Sequence, residues 1–184
     1  AVNDFTKNSA ALVGMSENAA RTITSRLGAS LKGFGMSTEE AAAQAINLTK
    51  TGADLAATLG GKTDDAVAAL GSALRGEYDP LERFGIALKA SEVNAKAVSM
   101  GLADSETNVT AFAKGQATLA LITERSAFAQ GQFGREADTA QGQAQRAQAK
   151  TADAAADLGK SLLPVYTKIQ ETIGLTADAF SALP

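Results

Sequence analysis

The feature that most constrains the fold of this chain is its alanine content, about a fifth of the 184 residues, combined with only three prolines. Alanine loses no side-chain entropy on entering a helix, and proline, which breaks helices, is nearly absent. No segment alternates apolar and polar residues with the period of a strand. We therefore predict an all-α, multi-helix protein. Because each buried methyl group removes little apolar area from water, we expect an elongated or loosely packed bundle with Gly-rich breaks.

Local signals divide the chain into helices. The predicted helices cover residues 16–32 with Ser16 as N-cap, 37–59 with a capping box from Ser37 to Glu40, 63–76 capped by residues 63–65, 91–100, 104–130, and from about 138 to Gly174 with a kink or restart at Pro164. We predict two parts. Residues 1–103 form a helical module that contains a turn at residues 76–86. Residues 104–184 form long helices in a hairpin-like arrangement, with a break near residues 131–136.

Composition argues against several classes of function. The net charge of −3 gives no electrostatic footprint for specific nucleic-acid binding. The chain has no histidine and no cysteine, which removes the commonest general base, thiolate chemistry and the usual zinc ligands. No apolar run reaches 18 residues, so we expect no membrane span. We expect no catalysis, no cofactor and no metal site.

Two short patterns resemble sites of phosphate or sugar chemistry. Residues 56–63 fit a loose phosphate-loop pattern, but such a loop must follow a buried strand and here it follows an amphipathic helix. The pairs Glu39-Glu40 and Asp64-Asp65 lie in first helical turns, where carboxylates favour the helix dipole. Adjacent residues of a helix do not face one another, so neither pair has the geometry of a glycosidase. We interpret residues 56–63 as a helix stop followed by a cap at Thr63.

An acidic loop surrounds Pro80. Glu77, Asp79 and Glu82 lack the regular spacing of oxygen ligands that a calcium loop needs. We instead expect Asp79 and Pro80 to begin a short helix, with Arg75 or Arg83 paired to a nearby carboxylate.

The strongest candidate for an interaction surface is an apolar stripe near the C-terminal end of the chain. Leu158, Leu162, Val165 and Ile169 are separated by four, three and four residues, which is the spacing of a coiled-coil seam as well as of an ordinary core face. A weaker alanine stripe precedes it at Ala140, Ala144 and Ala147. We predict that this helix packs against its own copies, and that Pro164 bends the seam without ending it.

Residues 76–86, GEYDPLERFGI, closely resemble a recurring segment of phage tail tape measure proteins. The positions that carry this motif are Gly76, Glu77, Pro80, Leu81, Phe84 and Gly85. Similar segments follow in the same order: residues 35–56 resemble the family's "G(L/M)S.EEAA……LT…ADLA", residues 127–133 its "A.GDF" with Gln132 where Asp is usual, and residues 135–164 its "R…..A.Q.R…A……LG..LLP". The ordered set covers residues 34–164.

The resemblance implies a structural role in a virion. In that family the protein sets tail length, scaffolds polymerisation of the tail tube around it, and is released during genome ejection. The implied partners are further copies of the chain, the tail-tube protein, tail assembly chaperones, and tail-tip or baseplate proteins. The implied location is the tail lumen of a phage or prophage, after assembly in the host cytoplasm. We expect this chain to be an internal segment of a longer protein.

Two other functions are considered beside this one. A tail module associated with a cell-wall hydrolase would use a single acid such as Glu77 or Glu82, which needs a shaped pocket and a raised pKa. A generic helical adaptor would bind protein partners through an exposed apolar groove. An adaptor of unrelated origin has no reason to carry the motif at residues 76–86.

Overall fold

The computed structural model describes the backbone of residues 1–181 and the side chains of residues 1–172, and this part of the chain contains helices and no strand. The α-helices are α1 Val2–Lys7, α2 Ser9–Val13, α3 Glu17–Gly33, α4 Thr38–Leu59, α5 Thr63–Leu74, α6 Ala90–Ser99, α7 Ala111–Arg125, α8 Gln132–Arg135 and α9 Ala140–Ser181. Two 3₁₀ helices, Asp79–Phe84 and Ala127–Ala129, lie between them. The all-α prediction is confirmed.

Helix α4 is the central element of the fold. It begins at the predicted capping box, in which the Ser37 hydroxyl accepts from the Glu40 amide and the Glu40 carboxylate accepts from the Ser37 amide. It packs along its length against α3 and α5, and also contacts α1, α2, α8 and both 3₁₀ helices. Small residues such as Ala45 and Gly52 are buried along it and let the neighbouring helices approach closely. The chain then reverses at Gly60 and Gly61, both of which have positive φ.

Two apolar clusters form the interior. The main core includes Leu31, Leu55, Leu70, Leu81, Phe84, Ile86, Ala117 and Ile122. The second lies between the N-terminal helices, α3, α4 and α8, and includes Phe5, Val13, Met15, Ala20, Ala53 and Phe133. Each cluster takes residues from both sides of the boundary predicted after residue 103. Helices on both sides of that boundary therefore bury their apolar faces together.

The predicted helix over residues 104–130 is wrong at both ends. Helix α7 begins at Ala111, where the Thr110 hydroxyl accepts a hydrogen bond from the Ala113 amide. Residues 103–110 form turns, and the hydroxyls of Ser105 and Thr107 lie 3.1 Å apart there. Short polar side chains compete for hydrogen bonds in this way, which favours turns over helix. At the other end the helix stops at Arg125, and the 3₁₀ helix follows.

Other boundaries also differ from the prediction. Thr63 is the first residue of α5 and not its cap, because its hydroxyl donates to the Val13 carbonyl, 2.9 Å away. Helix α6 starts at Ala90, ahead of the predicted cap Ser91. Helices α1 and α2 occupy a segment for which we predicted no helix. Helix α9 contains Pro164, as expected, but continues beyond Gly174 to Ser181.

Candidate functional site

The motif at residues 76–86 forms a tight corner between α5 and α6. Gly76 and Gly85 have φ of 91° and 70°, a region that side chains rarely adopt, and Pro80 lies in the first turn of the 3₁₀ helix between them. Leu81 and Phe84 are buried in the main core. The motif therefore places its apolar residues inside the fold and leaves Glu77 and Pro80 exposed.

Ion pairs surround this corner, as the sequence predicted. Arg75 lies 3.8 Å from Glu77, and Arg83 lies 3.6 Å from Asp65 while its guanidinium stacks 4.9 Å from the centre of the Phe84 ring. These charged groups are about half exposed or more. Exposed pairs of this kind each contribute about 0–1 kcal/mol, so they orient side chains and add little stability.

The phosphate-loop pattern and the two carboxylate pairs named above lie at helix ends in the structure. Residues 56–63 contain the end of α4 and the first residue of α5, with the Thr63 hydroxyl committed to the backbone of α2. Glu40 belongs to the capping box, and the hydrogen bonds from Ser37 lower the pKa of its carboxyl. Partial burial raises the pKa of Asp64, and the charge of Asp65 acts in the same direction. Within the part of the chain that the structure describes, no three acidic side chains form a metal-binding cluster.

The first part of α9 is attached to the body, and Arg146 is the main contact. Its Nε donates to the Ala11 carbonyl at 3.2 Å and its Nη2 to the Phe133 carbonyl at 2.9 Å. The same guanidinium lies 4.2 Å from the centre of the Phe133 ring. Gly142 sits so close to the backbone of Glu136 that a Cβ there would collide with its carbonyl oxygen. These contacts tie α9 to both α2 and α8.

Asp153 makes the last strong contact of α9 with the body. Its carboxylate accepts a hydrogen bond from the Glu17 amide at 2.7 Å, at the N-terminus of α3. A carboxylate in that position satisfies an amide that has no partner within its own helix and interacts favourably with the helix dipole. The alanine stripe does not make the contact that its pattern suggests, because Ala140, Ala144 and Ala147 are all exposed. The docked face instead includes Gly142, Arg146, Ala149 and Asp153.

Beyond Asp153 the helix leaves the body, and every described residue from 157 to 172 is exposed. Sixteen helical residues extend about 24 Å. The predicted stripe lies on this projecting part: Leu158, Leu162, Val165 and Ile169 are 62, 55, 53 and 51% exposed. Leu163 and Tyr166 are exposed beside them. More than half of the surface of each of the four predicted residues is thus exposed, and we call the surface that these four form the α9 seam.

Charges lie beside the α9 seam and not within it. Lys160 pairs with Asp157 at 3.1 Å, one turn apart on the helix. No described helix is long and apolar enough to cross a membrane. Lys168 lines a shallow pocket together with Val165, Ile169 and Thr172. The four seam residues share one helix face, with the spacing of a coiled-coil seam as well as of an ordinary core face.

No protein-family model, curated protein or solved structure matches this chain.

Proposed function

We propose that this chain is a structural, non-catalytic segment of a phage tail tape measure protein. The observation that carries the proposal is the ordered set of sequence segments resembling that family, with its most specific member at residues 76–86. The corner formed by these residues places Leu81 and Phe84 in the main core, so the motif has a structural role in this fold. In this role the protein sets tail length and scaffolds the tail tube from within.

The exposed α9 seam supports a role in assembly. A helix that leaves the body with more than half of each seam side chain uncovered is stabilised when a second apolar surface covers it. A second copy of the chain presents the same face, and pairing of the two seams gives a coiled coil inside the tail. The tail-tube protein, assembly chaperones and tail-tip or baseplate proteins are the further partners of this proposal.

A helical adaptor is the second candidate, because the exposed seam by itself is also what such a protein presents to a partner helix. The two functions predict different effects of removing the chain on the length and assembly of the tail. An adaptor has no effect on the dimensions of a virion, whereas loss of a tape measure segment changes tail length or stops assembly.

The test is an in-frame deletion of these 184 residues from the full parent gene, followed by electron microscopy of the tails and an infectivity assay. The proposal predicts shortened tails or failed assembly, with an upper limit of about 275 Å of shortening if the segment were one straight helix. A full-length Leu158→Asp, Leu162→Asp variant is the matched control, because it removes the seam without removing length. Tails of unchanged length and normal infectivity in the deletion would overturn the proposal.

A further inference from the structure

A groove crosses the face formed by α3, α5 and α7. It consists of two adjoining cavities of about 190 and 390 Å³, which share Ser30 and Arg75 as lining residues. Its lining is mainly apolar: Leu27, Val67 and Leu74 are buried beneath it, and Ile23, Phe34 and Tyr78 are half-buried. Gly76 of the corner motif lines it as well. We call this surface the α3–α5–α7 groove.

The dimensions of the groove fit a helix of about three turns. It extends from Ile23 of α3 to Phe34, the residue that follows this helix, a distance of about 16 Å at the helical rise. The Phe34 ring packs directly on Gly115, where a Cβ would lie 2.6 Å from it. A Cβ at Gly71 would make ordinary contact with Leu27, at 3.4 Å.

The rim of the groove is basic although the whole chain is acidic. Arg26, Arg75 and Lys114 line it, and the net charge of the protein is −3. Arg75 has an exposed carboxylate partner in Glu77. Among the residues whose side chains are described, no carboxylate forms an ion pair with Arg26 or Lys114. The Arg75 guanidinium also donates to the Gly71 carbonyl and to the Ser72 hydroxyl, so the unpaired positive charges of the rim are those of Arg26 and Lys114.

We propose that the α3–α5–α7 groove binds an amphipathic helix of a partner protein, with the apolar face of that helix on the floor and its acidic residues against Arg26 and Lys114. An apolar floor of this length is the surface that a helix with apolar residues at i, i+3, i+4 and i+7 fits. The cations add selectivity for an acidic partner and speed its association.

Charge also favours an acidic partner helix over two other possible occupants of the groove, the projecting part of α9 and nucleic acid. The projecting part of α9 carries Asp157, Lys160, Lys168 and Glu171, so its charges balance and do not select a basic groove. Nucleic acid binding depends mainly on many phosphate contacts, and three cations around an apolar floor provide few. The groove is remote from the α9 seam in the sequence and acts independently of the tail function proposed above.

The test uses the full chain labelled with ¹⁵N and titrated with a designed 15-residue helical peptide that carries Leu at the i, i+3, i+4 and i+7 positions and Glu on the flanking positions. A matched peptide has Lys in place of every Glu. We expect saturable amide shifts at Ile23, Gly71 and Gly76, and at least tenfold tighter binding of the Glu peptide. An Arg26→Glu, Lys114→Glu variant is expected to lose that preference or reverse it.

The control variant is Lys7→Glu, Lys50→Glu, which makes the same change of charge at exposed positions outside the groove. This control variant should bind the Glu peptide as tightly as the unchanged protein does. If net charge alone caused the preference for the Glu peptide over the Lys peptide, that preference would weaken equally in both variants. Equal binding of the two peptides, amide shifts confined to residues 157–172, or displacement of the Glu peptide by a single-stranded oligonucleotide of equal affinity would each overturn the proposal.

Discussion

Gly52 sets the distance between α4 and α5. A Cβ built at this position would collide with the Val67 side chain and lie 3.1 Å from the Val67 backbone nitrogen. Rotation of the valine relieves only the first contact, because the second involves backbone. Because each buried alanine removes little apolar area from water, close approach of the helices increases the contact that each residue of this interior makes.

The Gly52→Ala variant tests this contact. We expect it to lower the free energy of unfolding by about 1–3 kcal/mol, the usual cost of inserting a methyl group into a packed core. Gly28→Ala is the matched control, since Gly28 lies within α3 and a Cβ there meets nothing within 4 Å. That variant should gain up to about 1 kcal/mol from helix propensity. Urea unfolding of the two variants measures the difference, and equal stabilities would contradict the assignment.

Glu92 links the start of α6 to α7. Its carboxylate accepts from Arg125 Nη2 at 2.8 Å and from the Lys89 amide at 2.9 Å, and the bond to Arg125 is the main reason that the pKa of Glu92 falls below its usual 4.5. A carboxyl with a lowered pKa in the folded state stabilises the fold above its unfolded pKa. That contribution disappears as the pH falls through the folded pKa.

We therefore predict that Glu92→Gln is less stable than the unchanged protein at neutral pH and that the two stabilities converge as the pH falls below 4.5. Urea unfolding at a series of pH values measures both curves. Glu106→Gln, at an exposed loop position, controls for the loss of one negative charge. Parallel curves for the protein and the Glu92 variant would mean that the contact with Arg125 does not form.

At the scale of the elements, the attachment of α9 depends on side chains that reach distant backbone. Arg146 bonds to carbonyls of α2 and α8, and Asp153 bonds to an amide 136 residues away in the sequence. The remainder of the described helix has no such contact. The helix therefore has a docked part and a projecting part, and the first holds the second in a fixed direction.

The Arg146→Met variant tests this attachment. Met keeps the unbranched aliphatic part of the side chain and removes the guanidinium with its hydrogen bonds and its charge above Phe133, so we expect a loss of about 1–3 kcal/mol. Hydrogen exchange of the amides in residues 142–153 should accelerate while α4 stays protected. Lys150→Met changes an exposed residue of the same helix and should leave exchange unaltered. Unchanged protection in both variants would show that Arg146 does not hold the helix.

Local chemistry predicted much of the fold, and distant contacts account for what it missed. Ser16 and Ser37 cap their helices as their sequences indicate, because a cap needs only residues a turn away. The sequence pattern of α9 shows an alanine stripe at Ala140 and Ala144, yet the fold docks the helix through Gly142 and Arg146. Which face of α9 docks depends on where the carbonyl groups of α2 and α8 lie, and the sequence of α9 alone does not reveal those positions. The motif and the seam were both found from sequence, and the basic groove was missed because Arg26, Arg75 and Lys114 lie far apart in the sequence, on α3, after the end of α5 and on α7.

For the molecule as a whole, the main question is what covers the α9 seam. Full burial of a Leu, Val or Ile side chain contributes about 1.5–3 kcal/mol. The seam residues retain about half of their exposure, so eight side chains from two copies offer about 8 kcal/mol in total. Association costs at least about 4 kcal/mol, which leaves a weak complex with a Kd near the millimolar range. Copies confined together in a tail would still associate.

Sedimentation equilibrium of the full chain, from about 20 µM to about 1 mM, tests the central claim that the seam joins copies of this protein. We predict an average mass that rises with concentration for the unchanged protein and stays at that of one chain for the Leu158→Asp, Leu162→Asp variant. Both positions are exposed, so the variant should keep the same circular dichroism spectrum and melting temperature. A protein that stays monomeric throughout, together with a variant that unfolds, would show that the seam is covered within one chain.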